Sequence, residues 1–177
     1  MTLRRLLSPI RLLALLACAL AAPAWADDYA EVQRLQRTGQ TREALAEADK
    51  HIAAHPRDPQ MRFIKASVLS AAGRPDEAQE LLTQLTRDYP ELAEPWNNLA
   101  VLHAGRGRLD QAREALETAL RIQPDYATAL ENLGDVQARQ AAAAYQRARR
   151  LDAGNPRLAP KIEALRAVTG AAAQPGG

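Results

Sequence analysis

The 177 residues suffice for one ordinary domain or a short array of repeats, and 23 Lys+Arg stand against 21 Asp+Glu. Arg4, Arg5 and Arg11 all lie in the acid-free residues 1–26, which leaves 20 basic and 21 acidic residues for the rest of the chain. That body is nearly neutral, at net −1, which argues against a nucleic-acid binder needing a basic face for phosphates. A lone cysteine, Cys18, excludes an intramolecular disulfide and a cysteine-rich zinc site, and 4% aromatic residues is thin for a β-sandwich or barrel.

Residues 1–26 have the layout of a bacterial secretory signal. A basic stretch ends at Arg11, an apolar run covers 12–22, and Ala24-Trp25-Ala26 is a small-x-small cleavage site. The apolar run is too short to span a bilayer, which needs roughly 20 residues. Cleavage after Ala26 predicts a mature chain starting at Asp27, periplasmic or secreted. The alternative is a lipoprotein acylated at Cys18. Only six apolar residues separate Arg11 from Cys18, and Leu16 fits that motif poorly.

From there a period of 34 residues governs the chain. Gly39, Gly73 and Gly107 recur at that spacing, as do Ala44, Ala78 and Ala112, and Pro56, Pro90 and Pro124. Within one period, Trp96, Leu99 and Leu102 fall at helical spacing and Gly107 breaks the pattern. Asp110 is then expected to cap a second helix that turns Ala112, Leu116, Ala119 and Leu120 to one face. Pro124-Asp125 ends it. The residues from Trp96 through Pro124 resemble the tetratricopeptide repeat, a helix–turn–helix unit of about 34 residues. His103 and Leu116 replace that family's aromatics, and Ala100 its glycine.

The resemblance implies an all-α fold, a right-handed α-solenoid of helical hairpins. Three full repeats are expected at about 25–58, 59–92 and 93–126, within an array spanning 27–152. A fourth, at 127–152, starts well with Leu130, Leu133 and Gly134, but its second half arrives five residues early and lacks the Gly-containing turn. Small or apolar residues at 130, 133, 141, 144, 148 and 151 stay in helical phase, which predicts one long helix. Gly154-Asn155-Pro156 breaks the chain, and 156–168 is expected to form a helix capping the array. The Gly-, Ala-, Gln- and Pro-rich residues 170–177 predict a disordered tail.

Catalytic chemistry is not evident. His51 and His55 are four residues apart, but no third metal ligand accompanies them, and both are expected at the surface or in a turn of a repeat boundary. No nucleophile–base pattern or phosphate-cradling loop is present, so no enzyme, metal or cofactor is predicted.

The resemblance further implies a concave groove lined by the first helix of each repeat. Its candidate residues are Tyr29, Gln33, Phe63, Ser67, Asn97, Asn98, Val101, Glu131, Asn132 and Asp135. Some members of the family hold a partner's terminal carboxylate with Lys, Asn and Arg; at the matching positions here Asn98 fits and no base appears. The expected ligand is therefore an internal, partly apolar peptide or helix, with a basic residue near Asp135. The expected role is a protein–protein adaptor of the bacterial envelope, without nucleic-acid partner or membrane span. The alternative is a structural protein that self-assembles as a homodimer through its long fourth helix.

Overall fold

The computed structural model describes residues 25–169. The expected signal segment through residue 24 and the predicted tail at 170–177 lie outside the described residues. Eight helices and no strand are found among them. They are α1 (Trp25–Arg37), α2 (Thr41–Ala54), α3 (Pro59–Ala71), α4 (Pro75–Asp88), α5 (Ala93–Gly105), α6 (Leu109–Ile122), α7 (Ala127–Leu151) and α8 (Leu158–Thr169). The all-α class read from the sequence is the one observed. The chain divides after Val68, within α3, into two compact units.

The 34-residue period has a direct conformational cause. Gly39, Gly73 and Gly107 all adopt φ between +72° and +76°, a region costly for residues with a Cβ. Each follows the last turn of a helix and closes it with the same pair of bonds. Gly73 N–H donates to Ser70 C=O and Arg74 N–H to Leu69 C=O; Gly107 and Arg108 repeat this onto Ala104 and His103. This closure satisfies carbonyls that a helix end otherwise leaves open. The prolines punctuate the opposite end. His55, Tyr89 and Gln123 precede Pro56, Pro90 and Pro124, and each leaves the helix with φ near −135°, because the following ring excludes the helical region.

In unit 1, α1 packs on α2. Val32 and Leu35 of α1 are buried, as are Ala44, Leu45 and Ala48 of α2 and Met61 and Ile64 of α3. In unit 2, α5 and α6 form the most extensive helix pair, and α7 packs on both of them. Its core is built mainly on small residues: Ala93 and Ala100 from α5, Ala112, Ala115, Leu116 and Ala119 from α6, Ala129 and Val136 from α7. Alanines let helices approach closely and lose no side-chain entropy. Trp96, Leu109, Leu120, Tyr126 and Leu133 cover the edges of that core.

Two sequence expectations are corrected in unit 2. Asp110 does not cap α6. Arg108 occupies the cap position without a side-chain bond, and Asp110 accepts from Gln140 Nε2 of α7 at 2.7 Å. The stripe expected along α7 holds only in part, with residues 133, 141 and 148 half-buried. Leu133 packs on the core as expected, but Leu130 and Leu151 are 51% and 82% exposed and residue 144 is also exposed, whereas Ala129 and Val136, outside the stripe, are buried. Arg74 pairs with Glu77 in its own turn, and Arg106 reaches across to Gln79 and Asp76 of α4.

Residues Ala127–Leu151 run as one helix of 25 residues, with no chain reversal between 137 and 142. The chain then returns through a turn at 152–157, and α8 packs on α7 with Leu158 and Ile162 buried. Lys161 Nζ of α8 sits 5.1 Å from the Tyr145 ring centroid, a cation–π contact along this pair.

Candidate binding site

The polar chemistry of unit 1 converges on His51. The ring is almost wholly buried, with Nδ1 2.7 Å from Asp28 Oδ2 and Nε2 2.9 Å from Asp58 Oδ2. Asp58 is also the cap of α3: Oδ1 accepts from Gln60 N–H at 3.0 Å and Oδ2 from Met61 N–H at 3.3 Å. The same Oδ2 accepts the Tyr29 hydroxyl at 2.8 Å. Burial, then the bonded Asp58, pushes the Tyr29 pKa up to about 12.

His51 is therefore an interior polar hub and not the surface residue expected. Its ring is boxed in by Tyr29 and His55, with centroids at 5.5 and 4.8 Å. His51 also lines a small cavity of about 130 Å³ with Asp28, Glu31, Glu47, Lys50 and His55. Among the described residues no group of three or more His, Cys, Asp or Glu has metal-site geometry.

The other candidate positions of unit 1 separate by burial. Gln33 is exposed, and Phe63 and Ser67 are half-buried, with Ser67 Oγ donating to Phe63 C=O at 3.2 Å. Ile64, beside Phe63, is 4% exposed and serves packing. Tyr29, a candidate groove residue, spends its hydroxyl on Asp58.

Unit 2 contains a cavity of about 520 Å³. Ala100, Val101, Ala104 and Gly105 of α5 form one wall, and Asn132, Asp135, Val136 and Arg139 of α7 face them; Leu116 and Thr169 complete it. The cavity exists because the α5 wall is built from small side chains. Of the expected residues, Val101, Asn132 and Asp135 are brought together here. Asn97 is not available to a ligand: it is 3% exposed, accepts from Asn132 Nδ2 at 2.8 Å and donates to Asn98 Oδ1 at 3.2 Å. Asn98 is half-buried and Glu131 exposed, and neither lines the cavity.

Arg139 corrects the expectation of a groove without a base. It lies one helical turn beyond Asp135, a spacing that puts both side chains on one face, but the pattern of matching positions stops short of it. The signal was present in the long-helix reading, since a helix continuing past residue 135 must present residue 139 beside it. His103 is half-buried on α5 with a buried Nδ1 that has no partner. Burial first, then Arg108 and Arg106, hold its pKa below the ordinary histidine value.

Two sequence profiles, each described as Tetratricopeptide repeat, match residues 29–78 and 69–133. The chain carries tetratricopeptide repeats. The matched residues contain Gly39, Gly73 and Gly107, the three left-handed turns that set the period. No curated protein matches the chain. Among solved structures, the Sgt2 tetratricopeptide domain from Aspergillus fumigatus is similar at a TM-score of 0.64 and 17% identity, over 70% of this chain and 83% of that one. The first tetratricopeptide domain of Spaghetti (RPAP3), bound to the HSP90 peptide SRMEEVD, gives 0.60 and 16%, over 66% and 92%. TTC0263, a thermophilic tetratricopeptide protein of Thermus thermophilus, gives 0.60 and 21%, over 83% and 84%. At these identities the likeness is one of fold.

Proposed function

We propose that this tetratricopeptide protein is a non-catalytic adaptor of the bacterial envelope that binds a peptide segment of a partner protein. The observation that carries the reading is the unit 2 cavity, with an apolar lining of Ala100, Ala104, Leu116 and Val136 and polar groups from Asn132, Asp135 and Arg139. A concave site with an apolar body and a few placed polar groups is how a recognition site combines affinity with orientation. Its volume lies within the range of ligand sites, roughly 300–1,000 Å³. Peptide-bound RPAP3 supports the reading by likeness of fold. The basic, acid-free residues 1–26 with Ala24-Trp25-Ala26 support export. Among the described residues, no helix is long and apolar enough to cross a membrane.

A peptide array probed with the mature protein tests the binding reading, with each peptide presented as free acid and as amide. Binding of amidated peptides that is lost in Asn132→Ala is expected; binding that needs the free carboxylate, or that ignores the substitution, sinks the internal-segment reading. The second reading is self-association along α7, for which Leu151 at 82% exposure and Leu130 at 51% are the observations in favour. Light scattering across a concentration series separates the two, since a dimer broken by Leu151→Glu supports self-association.

A further inference from the structure

We propose that the unit 2 cavity selects an extended peptide segment carrying one basic and one acidic side chain flanking an apolar residue. This deepens the peptide-binding reading and rests on it. Asp135 and Arg139 both line the cavity. They stand four residues apart on α7, a spacing at which Asp and Arg commonly pair. Here they do not pair, and neither makes a hydrogen bond or ion pair with any described residue. Two opposite charges therefore face one concave space, separated along the helix by about 6 Å.

An apolar ligand alone would desolvate both charges without compensation, which costs free energy. A ligand of one sign would satisfy one and oppose the other. Only a segment bearing both signs complements the pair. Alternate side chains of an extended chain are about 6.6 Å apart on one face, close to the Asp135–Arg139 rise. The residue between them turns the other way, which suits a short apolar side chain on the Ala100 and Ala104 wall.

The amide of Asn132 favours an extended segment over a helix. Its Nδ2 spends one N–H on Asn97, leaving the second N–H and the carbonyl oxygen. The backbone of an extended chain has free N–H and C=O groups for these, whereas a helix has already paired its own.

Four acetylated, amidated peptides test the proposal by fluorescence anisotropy: Lys-Leu-Glu, Glu-Leu-Lys, Lys-Leu-Lys and Glu-Leu-Glu, each in a Gly-Ser context. The native protein is expected to prefer the mixed-charge peptides by roughly fivefold, the size of one partly exposed ion pair. Arg139→Glu should move the preference to Lys-Leu-Lys, and Asp135→Lys to Glu-Leu-Glu. Both positions are on the open face of a helix, and circular dichroism confirms that each variant folds. Val101→Trp, at a half-exposed position lining the cavity, should weaken all four peptides. Equal binding of the four peptides, with loss in Val101→Trp, overturns charge selection and leaves the cavity as the peptide site. Binding that Val101→Trp does not change, or binding of none of the peptides, overturns the inference together with the cavity reading beneath it.

Discussion

His51 shows how much one side chain can organise. It joins Asp28 of α1 to Asp58, whose carboxylate caps α3 and also holds the Tyr29 hydroxyl. Removing the ring leaves the buried Asp58 carboxylate short of a partner and opens a hole beside Tyr29. His51→Ala is expected to cost about 3 kcal/mol in urea unfolding. Asp28→Asn should cost less than about 1 kcal/mol, because that side chain is 54% exposed and its bond competes with water. Tyr29 adds a pH signature. Its folded pKa is raised to about 12 from 10, so its contribution is complete below pH 10 and is lost as pH rises towards 12. Native protein should therefore lose more stability between pH 10 and 12 than Tyr29→Phe does. His103 acts with the opposite sign. Its pKa is lowered on folding, so the unfolded chain binds more protons at mildly acid pH and stability falls as pH falls below about 6.5. That acid loss should shrink in His103→Phe, measured as the melting-temperature difference between pH 7 and pH 5.

At the scale of the element, glycines with opposite roles make a controlled comparison. A Cβ at Gly73, Gly107 or Gly134 would meet nothing within 4 Å, so crowding is not an issue at any of the three. Gly73 and Gly107 stand at φ +72°, and alanine there should destabilise by roughly 1–2 kcal/mol through backbone strain. Gly134 is inside α7, where alanine should stabilise by about 0.5–1 kcal/mol. Equal effects at 73 and 134 would show that the left-handed closures are not what ends the helices. The same closures explain why most helices of the array are of similar length, 13 or 14 residues. α7 has no such glycine after its second turn and runs to 25 residues. Ala112 is fully buried where α6 meets its neighbours, so Ala112→Leu should overpack by about 1–3 kcal/mol.

For the whole molecule, the terminal elements are where repeat arrays are most vulnerable, since each unit gains its core from its neighbours. We propose α8 as the cap of the array. Deleting residues 156–169 uncovers the face of α7 against which Leu158 and Ile162 pack, and should bring aggregation or a broadened unfolding transition. An unchanged melt with monomeric elution would remove that role. At the other end, we expect protein recovered from the native host to begin at Asp27. Cleavage there removes Trp25 and Ala26 from α1 but keeps Asp27 and Asp28 in the first turn, where acids complement the helix dipole, and keeps the Asp28 contact to His51. N-terminal sequencing that finds a lipid-modified Cys18 would instead make the protein membrane-anchored.

The repeat itself was legible in the sequence because its signals are local. A glycine at φ above zero, a residue restricted by the following proline and an amphipathic stretch each act within a few residues, and recurrence at 34 makes them readable together. The single long helix at 127–151 was legible for the same reason, as a missing turn. The candidate site was only half legible. Val101, Asn132 and Asp135 were in view, but Arg139 lies beyond the repeat pattern that pointed to them. The buried phase of α7, set by Ala129 and Val136 and not by Leu130, was decided by where α5 and α6 stand. The hub at His51 needed residues 28, 29, 51 and 58 from three helical segments, and nothing in their spacing announces it. The chain's period determined where its helices begin and end, because those limits are backbone events. Which side chains are buried, paired or left to face a ligand was decided by tertiary packing, because burial and pairing depend on neighbours distant in sequence.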